Sequence, residues 1–138
     1  DWFPLWVVIG LLIPALAGYL VTGTLAGAAG GFLWGGLVRV FFVHHITWSV
    51  NSICHFLGTR RFDVDDESTN VFWLALPSLG EAWHHNHHAF PRSANHGLKK
   101  SELDPSAWVI KGMEKVGLAR KVVRITPERQ AQKLAQPE

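Results

Sequence analysis

The run GEAWHHNHHAFP, residues 80–91, sets His84, His85, His87 and His88 around a single Asn86. Histidines packed this densely, in a chain whose one cysteine is Cys54, point to a metal centre for redox or oxygen chemistry, not to a cysteine-rich zinc site. At about 100° per residue on a helix, His84, His87 and His88 fall within an arc of roughly 100° and face one site, while His85 points well to the side. Neutral imidazole suits iron, copper, zinc and nickel alike, so the box alone leaves the metal open. A purification tag would be terminal and uninterrupted, and this run is neither.

A second pair of donors stands upstream. Asn51 and His55 are spaced i and i+4, which on a helix puts both side chains on one face. His55 is a candidate fourth nitrogen ligand and Asn51 a direct or water-mediated oxygen donor. Glu81, three residues before His84, is either a ligand or the carboxylate that holds an imidazole in its tautomer, and the second role is favoured. His44, His45 and His96 are not assigned as ligands. The HExxH spacing of zinc proteases is absent. Haem takes one or two histidines and would leave most of the cluster unexplained. No catalytic group beyond the metal ligands stands out. What remains is a polyhistidine iron site at the edge of a membrane.

The elements that must position these residues divide sharply by composition. Residues 2–22 carry no charge, enough for ~31 Å of helix, about the thickness of a bilayer's hydrocarbon core. A second uncharged run starts at Gly23 and is broken only by Arg39 before Arg60. Residues 2–58 therefore read as two transmembrane helices joined by a tight turn, with Pro14 a possible kink. Gly23, Gly27, Gly30, Gly31, Gly35 and Gly36 give the second a small face for close packing. A helix from about Ala26 to Leu57 spans ~48 Å against a ~30 Å core, so its histidine-bearing end projects or breaks. Basic residues beyond it put that end, and with two spans the N-terminus too, in the cytoplasm. For Arg39 at the inner boundary, snorkelling is one of two open readings, a specific role being the other. Residues 71–80 are too short to span and lead into the histidine helix, which Pro91 ends. Asp104-Pro105-Ser106 starts another helix, whose stripe of Trp108, Ile110, Met113, Val116 and Leu118 packs on the domain or the membrane surface. The fold class expected is all-α: a membrane helical hairpin (1–58), a cytoplasmic helical cap bearing the histidine-box metal site (59–125), and a solvated polar tail (126–138).

The runs WSVNSICHFLG (48–58) and GEAWHHNHHAFP (80–91) together resemble the integral-membrane acyl-CoA (stearoyl-CoA Δ9-type) fatty acid desaturases, in particular bacterial, actinobacterial-like members. That family carries HxxxxH, HxxHH and a last HxxHH, with an added NxxxH. His84-x-x-His87-His88 matches the last box and Asn51-x-x-x-His55 the NxxxH element. The resemblance implies a di-iron site with His55, His84, His87 and His88 as ligands and Asn51 reaching an iron through water. It implies that Thr47 and Trp48 line a bent acyl tunnel. His85 stands where the family usually has asparagine, and Arg61 replaces the proline of its G-x-R-P-Y-D stretch. The first two boxes are expected upstream, which makes this the C-terminal half of such a protein.

The activity implied is O2-dependent insertion of a cis double bond into a long-chain fatty acyl-CoA at two iron ions. No flavin or haem motif appears, so a separate electron-transfer protein and reductase are expected as partners, along with the lipid membrane and no nucleic acid. The expected location is the cell membrane, multi-pass, with the metal site on the cytoplasmic side. Two rivals are a membrane di-iron alkyl or lipid hydroxylase and a non-catalytic metal-binding membrane fragment. The NxxxH element favours the desaturase.

Overall fold

The structure, a computed structural model, describes residues 2–134. The described residues are helical with no strand, only isolated bridges such as Thr59 with Asn70 and Asn70 with Trp83. The chain divides into two compact units, residues 1–45 and 46–138.

In the first unit, α1 (Phe3–Thr22) ends at Gly23, whose φ of 68° makes the turn. Thr24 then caps α2 (Leu25–Gly30), its hydroxyl accepting from the amide of Gly27 at 3.0 Å. The helix runs on through a π-helical stretch, Gly31–Val38, into α3 (Arg39–Ile53). Phe3–Thr22 and the continuous Leu25–Ile53 are both long and apolar enough to cross a membrane. α1 packs on α2 and the π-helical stretch through the expected small face: a Cβ on Gly31 would collide with the carbonyl of Pro14. Pro14 has no N–H, so the carbonyl of Gly10 lacks its usual intrahelical donor. The Nη2 of Arg39 supplies one at 3.1 Å, and its Nε donates to the carbonyl of Gly35 at 2.7 Å. Arg39 thus caps carbonyls within the hairpin, a more specific task than snorkelling.

In the second unit, the end of α3 joins Val71, Leu74 and Ala75 of the segment around α4 (Phe72–Ala75) in one apolar cluster with Cys54, Ala82 and Trp83. A second cluster holds Phe62, Ala89 and Phe90. The histidine helix α5 (His84–Ala89) lies between these two anchors in sequence, so both its ends are fixed by burial. The second helix stops at Ile53, four residues short of the expected Leu57. The carbonyl of Cys54, which would continue the ladder, is taken by the amide and hydroxyl of Thr69 at 2.7 and 3.0 Å. His55 therefore sits in a turn after α3 and does not share a helix face with Asn51.

α6 (Pro105–Lys115) starts where expected, with the carboxylate of Asp104 accepting from the amide of Ala107 at 2.9 Å. Its stripe is not packed on the domain: Trp108, Met113, Val116 and Leu118 are exposed and only Ile110 is half-buried. As far as residue 134 the tail is exposed, as expected, with only Gln130 half-buried, but it is ordered. Thr126 caps a short α7 (Pro127–Ala131), Gln130 bonds to Arg61, and the Nζ of Lys133 donates to the carbonyl of Ala89 at 2.9 Å. Residues 135–138 of that tail lie outside the described residues.

Candidate metal centre

The six-residue α5 delivers the histidines in two directions. Residues i and i+4 stand about 40° apart on a helix, so His84 and His88 share a face, while His87 lies about 100° from His88. The distances follow that geometry. The Nε2 of His84 is 3.1 Å from that of His88 and 3.2 Å from the Nε2 of His55, which arrives from the turn after α3. The ligating atoms of His55, His84 and His88 all lie within 4.8 Å of one another. His84 has at most one Nε2 proton, which can satisfy only one of its two imidazole neighbours, whereas a shared cation satisfies both. Separations near 3.1 Å are also what two nitrogens ~2.1 Å from one ion give. The three residues fit a metal ion.

Their electrostatics agree. Burial first, and then the imidazoles of His88, His55, His87 and His96, push His84 from 6.5 down to about 4. It is neutral at neutral pH, the form that binds metal. Burial likewise lowers His85 and His87. On the outer side of His88, Nδ1 meets the Oδ2 of Asp66 at 2.6 Å. Burial would raise Asp66, but hydrogen bonds from Ser68 and His88 hold it well below the usual carboxylate range.

His87 turns away from this trio. Its ring centroid is 4.6 Å from that of His96, and its Nδ1 is buried with no hydrogen-bond partner among the described residues. That orphaned atom marks a second direction in which a ligand or ion could be met. Asn51 is exposed, and its side-chain amide donates to the carbonyl of Thr47 at 2.9 Å. Thr47 and Trp48 are exposed on the same turn of α3. Glu81 is not on the histidine helix, because Gly80, at φ 104°, puts a turn ahead of α5. Its Oε2 lies 3.9 Å from the Nδ1 of His96. His44 and His45 place their Nδ1 atoms 2.8 Å from the carbonyls of Val40 and Phe41, one turn back.

His85, set aside from the sequence, is fully buried, and both its nitrogens are used. Nε2 accepts from the amide of Phe62 at 2.9 Å, and Nδ1 meets the hydroxyl of Ser68 at 3.2 Å. Sequence reasoning missed two residues. Asn86, the gap in the pentad, is buried and bonds Asn70, Glu102 and the carbonyl of His96, at 2.9 Å in each case. Asp66 lies 22 residues before His88, among Asp63, Asp65 and Glu67, and no spacing distinguishes it.

No protein-family model matches the chain. Among curated proteins it is 46% identical over 116 residues to a hex-5-enoyl-(acyl-carrier protein) acetylenase of Moorena producens, covering 84% of this chain and 36% of that protein. It is 45% identical over 111 residues to the chloroplastic palmitoyl-monogalactosyldiacylglycerol delta-7 desaturase of Arabidopsis thaliana, covering 78% and 30%. To the icosanoyl-CoA 5-desaturase of Limnanthes douglasii it is 44% identical over 108 residues, covering 76% and 30%. The chain spans about a third of the length of these relatives. Over most of its own length, then, it is homologous to fatty acid desaturases, named for acyl-lipid and acyl-CoA substrates, and to an acyl-carrier-protein acetylenase.

Proposed function

We propose that this chain is part of a membrane fatty acyl desaturase and supplies one side of its di-iron site. The observation that carries the reading is the convergence of His55, His84 and His88 on one point, in a chain whose homologues are desaturases. His55, His84 and His88 would hold one iron, and His87, aimed elsewhere, would reach the second. Asn51 would join through a water. The remaining ligands would come from histidine boxes outside this chain. Two iron ions supply the oxygen activation needed to remove hydrogen from an unactivated methylene pair.

The residues of this chain would bind, orient and seal. Asp66 holds the proton of His88 at Nδ1 and leaves its Nε2 lone pair for metal. Thr47 and Trp48 would line the acyl tunnel, keeping the chosen carbons in place and water out. Phe3–Thr22 and Leu25–Ile53 would cross the cell membrane with the metal site on the cytoplasmic side. Exposed Trp108 and Val109 on α6, with Lys111 and Lys115, support a segment lying on that membrane surface. Electrons would come from a separate carrier protein and reductase.

Long-chain acyl-CoA is the substrate we favour. A cavity of about 420 Å³ beyond the end of α5 is lined by Arg92, Arg129 and Lys133 around Phe90, Val123 and Ile125. That lining suits a phosphate-bearing carrier better than a neutral galactolipid. The test supplies the full-length protein, with oxygen and an electron donor, with stearoyl-CoA, stearoyl-carrier protein or stearoyl-galactolipid. Mass spectrometry should find the CoA-derived chain lighter by two hydrogens. A chain that gains one oxygen would instead make the protein a hydroxylase, and turnover of the galactolipid alone would refute the CoA assignment.

A further inference from the structure

We infer that Asp66 is a positioning residue for the metal centre, held on His88 by a brace that includes His85. The inference rests on the reading of His88 as a ligand. Three observations carry it. First, both oxygens of Asp66 are committed: Oδ1 accepts from the amide of Ser68 at 2.7 Å and Oδ2 meets the Nδ1 of His88 at 2.6 Å. An incidental surface ion pair would not hold its carboxylate at both oxygens. Second, the segment that carries Asp66 is clamped. Arg60 donates through Nη2 to the carbonyl of Val64 at 2.8 Å and through Nη1 to that of Ser68 at 3.1 Å. Third, the histidine helix grips the same segment. His85 accepts from the amide of Phe62 through Nε2, so its proton sits on Nδ1, facing the hydroxyl of Ser68.

These contacts close a ring from α5 through His85, Ser68 and Asp66 back to α5 at His88. The two ends lie three positions apart on one short helix. His85 therefore serves the centre without touching metal: it sets where Asp66 stands, and Asp66 sets the tautomer and rotation of His88. A carboxylate on the outer nitrogen of a ligating imidazole raises its basicity, and removing such partners weakens metal binding roughly 10–100-fold.

The test uses the full-length protein in lipid nanodiscs, loaded with Co²⁺ as a spectroscopic probe and challenged with a chelator. Asp66→Asn keeps the size of the side chain and removes its charge. It should lose metal at roughly 10–100-fold lower chelator concentration than wild type and shift the Co²⁺ visible spectrum, with unchanged circular dichroism. Asp66→Glu should restore part of the affinity. Asp65→Asn, the same charge change one residue away, should behave as wild type. Equal retention and an unchanged spectrum in Asp66→Asn would overturn the role of Asp66, as would an equal loss in Asp65→Asn. A wild-type protein that holds no metal would overturn the ligand reading beneath it, and that failure is read separately.

Discussion

His84 has a nitrogen within 3.2 Å of two other imidazoles, so its replacement removes the shared vertex of the trio. His84→Ala in the full-length protein should abolish metal retention, measured as iron per protein after gel filtration, while His85→Ala should perturb it less and cost folding stability instead. Burial, and then the same crowding, sets a pH dependence. The unfolded chain protonates this imidazole near 6.5 and the folded chain near 4. Between those values the unfolded state binds more protons, so stability falls as pH falls through the window. Thermal melts of metal-free protein should show a midpoint that drops from neutral pH toward pH 4, and a flat profile would contradict this. Cys54 behaves in the opposite sense. Burial pushes its thiol up from 9.0 to about 11, so any stability it lends is lost as pH rises through that range. With 0% exposure it should resist iodoacetamide at about pH 8 until the protein unfolds. Much of this scale was legible beforehand, because helical arithmetic separates His85 from His84 and His88. Asp66 was not, because its partnership with His88 depends on how residues 60–68 fold back.

At the scale of elements, the hairpin shows a compensation that spacing alone does not disclose. Pro14 strips a donor from the carbonyl of Gly10 and Arg39 replaces it from 29 residues away. Pro14→Ala restores the intrahelical N–H, so Arg39→Ala should cost clearly less stability in that background than in wild type. A double-mutant cycle on thermal stability measures the coupling, expected at about 0.5–3 kcal/mol for groups in contact. Asp104 satisfies three amides: it caps α6 at Ala107 and accepts from the amides of His96 and Gly97 at 2.8 and 2.9 Å. Asp104→Ala should exceed the ~1 kcal/mol of an ordinary cap, because two further half-buried amides lose their partner. The starts of α6 and of both apolar helices were readable from caps and charge-free runs. The stop at Ile53 was not, since Thr69, sixteen residues later, imposes it by taking the carbonyl of Cys54. That stop is what frees His55 to turn toward the histidine helix.

For the whole molecule, the division into a first part with almost no charge and a polar remainder was plain in the sequence, and the two long apolar helices follow from it. Hydrophobic pattern left the face of α6 open between the domain and the membrane surface, and did not foresee the contacts of Gln130 and Lys133, because both depend on what the chain meets when folded. The trio of His55, His84 and His88 could hold one metal ion, and His87 lies against His96 instead. A chain spanning about a third of its relatives' length carries part of the ligand set on this account. The central claim is that His55, His84 and His88 jointly hold the iron that desaturates an acyl chain. Mass spectrometry of acyl chains from the full-length protein and from His55→Ala, His84→Ala and His88→Ala, each given stearoyl-CoA, oxygen and an electron donor, tests it most directly. The account predicts chains lighter by two hydrogens from wild type and unaltered chains from all three variants. Desaturation by any of the three at the wild-type rate would contradict it.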